Sequence, residues 1–147
     1  MRKIWIMAGE ASGDIYGAAL AEDLRKIGSA VGEEVEIGGM GGPAMAKANV
    51  KRTVDSTELG VVGFVEILKH IFTFIGIFRK LVRTVKAERP DAVILIDYPT
   101  FNMLFGKVVK KLGIFLSASP ISPMLPVAMT LRSSLKVSSL KQRTTTR

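Results

Sequence analysis

The chain has 147 residues, 48% of them apolar and 23% charged, with a net charge of +8 and no cysteine. That length gives one domain with enough apolar residues for a core, and the missing cysteine excludes disulfides and thiolate metal sites, which fits a reducing, cytoplasmic compartment. Residues 1–97 carry 13 Lys/Arg and 13 Asp/Glu, so the whole surplus comes from eight basic residues between Lys107 and Arg147, a basic tail on a neutral body.

In chain order, Met1 to Trp5 lead straight into a strand pattern with no signal-peptide core behind them, and no run of about 18 uncharged apolar residues comes after that could span a membrane. Lys3 to Ala8 (KIWIMA) reads as a buried parallel strand closed by Gly9. Gly9-Glu10-Ala11-Ser12-Gly13-Asp14 is the connecting loop, followed by a helix with Ile15, Ala18, Ala19, Leu20, Leu24 and Ile27 at helical spacing and Gly28 at its end. Residues 34–38 form a second strand, and Gly38-Gly39-Met40-Gly41-Gly42-Pro43 reads as a turn. A short helix through Met45 and Ala48 and a brief strand at 50–53 come next.

The spacing then predicts one long helix over 64–88, ended by Pro90. Ala92-Val93-Ile94-Leu95-Ile96 is the clearest strand, stopping at Asp97, and a helix over 102–112 closes at Gly113. Strands alternating with helices in this way predict an α/β fold, a parallel sheet with helices on both faces. The composition breaks at about residue 114. All 14 glycines lie at or before Gly113, and the residues beyond it are rich in Ser, Thr and Pro, basic, and free of acid. Residues 1–114 are therefore the expected domain and 115–147 a disordered tail or the product of a reading-frame change, with Ile114-Phe115-Leu116 as a possible start of a fifth strand.

Two acidic loops come directly after strands, where open parallel sheets bind ligands. In the first, Ser12, Gly13 and Asp14 stand at a helix N-terminus, able to approach an anion or simply to cap the helix. In the second, Asp97-Tyr98-Pro99-Thr100-Phe101-Asn102, an acid ends a buried strand where burial and neighbours would suit it to act as a base, or it caps the next helix. His70, the only histidine, has no partner motif and reads as packing, and no ligand spacing for a metal occurs. Phe72, Phe74, Ile75 and Phe78 make the long helix more apolar than one buried stripe requires, with Lys69, Arg79, Lys80, Arg83 and Lys86 beside them. This is either a helix buried on both sides or a surface for a membrane or acyl chain. No nucleic-acid-binding motif is present, and nucleic acid is not an expected partner.

Four motifs occur in order: Gly9-Glu10-Ala11-Ser12-Gly13-Asp14, Gly41-Gly42-Pro43-Ala44-Met45, Glu58-Leu59-Gly60-Val61-Val62-Gly63-Phe64-Val65-Glu66-Ile67-Leu68, and Ile96-Asp97-Tyr98-Pro99-Thr100-Phe101-Asn102. Together they resemble the N-terminal domain of lipid A disaccharide synthase, a bacterial glycosyltransferase, over residues 1 to about 114. The resemblance implies a Rossmann-like domain, the N-terminal half of a GT-B type inverting enzyme. Such an enzyme moves diacylglucosamine from UDP to an acylated glucosamine 1-phosphate, with no metal or cofactor. It implies Asp97 as the base, Glu10, Ser12, Gly13 and Asp14 as residues lining the substrate cleft, and Asn102 as a substrate-site residue that supports the Asp97 loop. Phe72, Phe74, Ile75 and Phe78 would meet acyl chains or the inner-membrane surface, where the enzyme would sit peripherally. The pattern departs from the family after Gly113-Ile114. The second, UDP-binding domain is missing, so a chain of this extent is expected to be inactive alone. The alternative is a non-catalytic, membrane-associated lipid-binding module.

Overall fold

A computed structural model describes residues 1–58, 71–96 and 99–119. Five strands, β1 (Arg2–Ala8), β2 (Val35–Gly41), β3 (Lys51–Asp55), β4 (Ala92–Ile96) and β5 (Phe115–Ser119), form one sheet in the order β3-β2-β1-β4-β5, with every pairing parallel. The helices are α1 (Ala11–Ala30), α2 (Pro43–Lys47), α3 (Ile71–Glu88) and α4 (Pro99–Lys111), and a single 3₁₀ turn covers Ser56–Glu58.

The central strands alternate between two cores. Ile4, Ile6 and Ala8 of β1, with Ala92, Ile94 and Ile96 of β4, pack with Leu20, Ala21 and Leu24 of α1 and Met45 of α2. Trp5 and Met7, with Val93 and Leu95, pack on the other side with Ile77, Leu81 and Val85 of α3 and Phe101, Phe105 and Val109 of α4. Burial on both faces is why these strands read as unbroken apolar runs. The helices change face between β3 and β4, where the chain reverses its direction of travel across the sheet. Right-handed crossovers demand that change, so the expected parallel sheet with helices on both faces is what forms.

Several boundaries differ from expectation for identifiable reasons. The glycine run at 38–41 is strand, not turn. Gly38 lies against the Trp5 indole, and a side chain on Gly39 (φ +135°) would collide with the Ile6 carbonyl, so at these two positions of β2 a glycine suits the pairing with β1. On its other side, the pairing of β2 with β3 shifts register between Gly39 and Met40. Helix α1 runs past Gly28 to Ala30, and its buried face is Gly13, Asp14, Gly17, Leu20, Ala21, Leu24 and Gly28. Ile15, expected in the core, is 64% exposed. The glycines bring the helix close to its neighbours: a methyl group on Gly17 would sit 2.7 Å from the Met45 sulfur. Strand β3 falls at Lys51–Asp55, α4 begins three residues early at Pro99, and β5 carries the sheet beyond residue 114 to Ser119. The expected helical segment 64–70, including His70, and the chain after 119 lie outside the described residues.

Candidate functional site

The strand order reverses between β1 and β4, and there the strands that precede the two acidic segments end side by side. Ala8, the last residue of β1, is in register with Ile96, the last of β4. Adjacent strands lie about 4.8 Å apart, so the chain leaves both strands at one point on the sheet's carboxyl edge, the position where open α/β sheets hold ligands. Asp97 and Tyr98 come after Ile96 in sequence but lie outside the described residues.

On the β1 side, Glu10 is the residue before α1, with extended backbone (φ −125°, ψ 161°) and no side-chain capping bond. It and Ser12 are exposed, whereas Gly13 and Asp14 turn inward. Asp14 is 4% exposed. Its Oδ1 accepts the backbone N–H groups of Gly42 (2.7 Å) and Met45 (3.0 Å), and its Oδ2 accepts that of Ala44 (2.8 Å). Asp14 therefore caps a helix, as the sequence allowed, but the helix is α2 rather than its own. Gly42 is part of this arrangement, since a Cβ there would stand 2.7 Å from Asp14 Oδ2.

On the β4 side, Asn102 lies in the first part of α4, half-buried, with a buried Oδ1 that has no hydrogen-bond partner among the described residues. Asp55, at the end of β3, has its carboxyl held below the ordinary range. The cause is first the Thr57 hydroxyl and backbone N–H donating to it, then the Arg52 guanidinium. Among the described residues no cluster of three His, Cys, Asp or Glu could hold a metal ion.

The four apolar residues singled out on α3 divide into two pairs. Phe72 is 85% and Ile75 44% exposed. Phe74 and Phe78 are half-buried, each edge-on to Phe101 with ring centroids 5.6 Å apart. Ile71, part of the apolar face expected on this helix, is also exposed, and so are Met103 and Leu104 on α4, which the periodicity of α3 could not reveal. The signal was present in α4, where burial of Phe101, Phe105 and Val109 leaves residues 103 and 104 on the opposite side. Arg79, Lys80 and Arg83 on α3, and Lys107, Lys110 and Lys111 on α4, are exposed toward the carboxyl ends of the same two helices.

Residues 4–121 match the family model described as lipid-A-disaccharide synthetase. The chain belongs to that family. The lipid-A-disaccharide synthase of Trichlorobacter lovleyi is 44% identical over 113 residues, which is 77% of this chain and 28% of that protein. The synthase of Geobacter sulfurreducens is 42% identical over 112 residues, 76% of this chain and 28% of that one. The chain thus spans less than a third of the length of the curated lipid-A-disaccharide synthases it matches.

Solved structures agree on the fold. A glycotransferase of kitacinnamycin superposes with a TM-score of 0.56 at 15% identity, over 95% of this chain and 35% of that one. A putative UDP-N-acetylglucosamine 2-epimerase from Listeria monocytogenes gives 0.52 at 17%, over 79% and 30%. The match to the lipid-A-disaccharide synthetase family model runs through β5, which the structure makes an integral strand.

Proposed function

We propose that this chain is the acceptor-side part of a lipid-A-disaccharide synthase, an inverting glycosyltransferase of lipid A biosynthesis. The observation that carries the reading is the β1/β4 crevice of a chain in this family. There the exposed Glu10 comes two residues after Ala8, whose strand partner Ile96 directly precedes Asp97 in sequence.

In the proposed reaction a hydroxyl of the acylated glucosamine 1-phosphate attacks the anomeric carbon of UDP-diacylglucosamine. The new C–O bond forms as the bond to UDP breaks, and Asp97 takes the hydroxyl proton. Glu10 and Ser12 would bind the acceptor's polar groups, and Asn102, whose buried Oδ1 has no partner among the described residues, would support the Asp97 loop. UDP is a product of this reaction, and no metal or cofactor takes part. Attack geometry needs both substrates held together, so residues 1–147 alone are expected to give no measurable transfer.

A chimera tests this. Residues 1–119 replace the matching segment of the Trichlorobacter lovleyi synthase, and disaccharide formation from UDP-diacylglucosamine and the acylated acceptor is measured. Product formation is expected. A folded chimera that makes none sinks the reading.

The acceptor is a lipid, and the exposed ends of α3 and α4 fit a peripheral position on the cytoplasmic face of the inner membrane. Phe72, Ile75, Met103 and Leu104 would enter the interface, while Arg79, Arg83, Lys107 and Lys110 face anionic headgroups. Among the described residues no helix is long and apolar enough to cross a membrane. Phe72→Ser with Ile75→Ser is expected to lower partition onto phosphatidylglycerol-containing vesicles by about tenfold or more, since each buried apolar side chain contributes about 1.5–3 kcal/mol. Unchanged sedimentation with vesicles would exclude this surface as the membrane contact.

A further inference from the structure

Helix α2 has five residues, too few to persist by its own hydrogen bonds, and α1 grips it at both ends. At the N-terminal end the Asp14 carboxylate accepts three N–H groups, from Gly42, Ala44 and Met45. At the other end the Arg25 guanidinium donates to the carbonyls of Ala48 (2.6 Å) and Asn49 (2.8 Å). The charges match the helix polarity, acid at the positive end and base at the negative end.

The two grips are not equivalent in place. Arg25 acts where the chain enters β3, on the edge of the sheet remote from the crevice. Asp14 acts on the carboxyl edge. It sits in the first turn of α1, its own N–H donates to the Glu10 carbonyl (2.9 Å), and its three donors belong to the segment after β2. One buried carboxylate therefore joins two loops that belong to different strands.

We infer that Asp14 is a positioning residue: it fastens the turn at Gly9 and Glu10 and the start of α1 to the Gly42–Met45 segment as one rigid wall of the crevice, and touches no ligand itself. This rests on the proposed function, in which the crevice receives the acceptor. With three of a carboxylate's roughly four acceptor positions filled by backbone and the group buried, Asp14 has little left to offer a substrate. Its influence passes through the backbone that carries Glu10 and Ser12.

The test compares Asp14→Ala, Asp14→Asn and Arg25→Gln by amide hydrogen exchange in this chain and by turnover in the chimera. Asp14→Ala is expected to speed exchange about tenfold or more at residues 42, 44 and 45 and also at position 14, and to lower acceptor kcat/KM by a similar factor. In Asp14→Asn the remaining oxygen still serves Gly42 and Met45, so only Ala44 should lose protection, and kcat/KM should stay within about threefold of the parent. Arg25→Gln should loosen residues 48–50 alone and leave kcat/KM unchanged.

Two results would overturn the inference. In one, exchange after Asp14→Ala rises only within residues 42–45, which reduces Asp14 to a cap. In the other, Asp14→Asn lowers kcat/KM as far as Asp14→Ala while Gly42 and Met45 stay protected, which means the charge itself acts on a ligand. An inactive parent chimera would sink the functional reading instead, and the exchange data would still decide whether the two loops move as one.

Discussion

In the chimera carrying residues 1–119, Asp97→Asn is expected to lower kcat by about 10²- to 10⁴-fold, the usual contribution of a positioned general base, with little change in acceptor KM. Asparagine keeps the size and the hydrogen-bonding reach of aspartate but cannot take a proton from the attacking hydroxyl. The kinetic parameter that moves is therefore the one that reports the transition state. The placement argument is mechanical. β4 is five buried residues, Ala92 to Ile96, held in parallel register between β1 and β5. Its last residue, Ile96, ends beside Ala8 of β1 at the switch point, and Asp97 is the next residue in sequence.

The pH profile supplies a second readout. In the parent, kcat/KM should fall on the acid side as the base is protonated, and that limb should be missing in Asp97→Asn. Glu10→Gln should behave differently, raising KM for the acceptor while keeping the acid limb. If Asp97→Asn turns over at the parental rate with the same profile, Asp97 is not the base.

How much of this could be read from the sequence depended on the range of the interaction. The buried strands were legible because each is a local run of apolar residues, Ile4 to Ala8 and Ala92 to Ile96, and their alternation with helices fixed the parallel topology. The ends of those strands were legible for the same reason, but the loops expected after them were not: residues 11–14 belong to α1 and residues 99–102 to α4, while Asp97 and Tyr98 lie outside the described residues. Nor was the capping of α2 by Asp14. Its donors lie 28 to 31 positions away along the chain, and no local pattern encodes such a contact. The inward face of α1 was hidden differently. Hydrophobic periodicity counts Ile15 and ignores Gly17 and Gly28, yet it is the missing side chains there that let α1 approach the sheet and α2. The fifth strand was obscured by composition: β5 includes Ser117 and Ser119, and it pairs with β4 along its whole length despite them.

The apolar residues of α3 and α4 are where sequence and structure give different answers, and stability measurements separate them. Phe101 is fully buried. Phe74 and Phe78 stand edge-on to it at interplanar angles of 86° and 75°, and Phe105 stacks on it at 5.8 Å and 21°. Three ring contacts on one side chain, each worth about 0.5–1.5 kcal/mol beyond area burial, make Phe101 the hub that joins α3 to α4.

Phe101→Ala is expected to cost about 3–5 kcal/mol in urea unfolding, as transfer energy is lost and a cavity is left among three phenyl rings. Against a total stability of about 5–15 kcal/mol for a domain, that brings the chain close to unfolding at room temperature. Phe78→Ser, which removes one of the edge-on partners and buries a hydroxyl, should also be clearly destabilising. Phe72→Ser should fall within about 0.5 kcal/mol of the parent, because its ring faces solvent. The pattern sought is a crossed one: Phe72→Ser losing vesicle binding with stability intact, and Phe78→Ser losing stability. Equal destabilisation by both would mean that Phe72 is also packed, and α3 would then have no free apolar end to offer a membrane or an acyl chain.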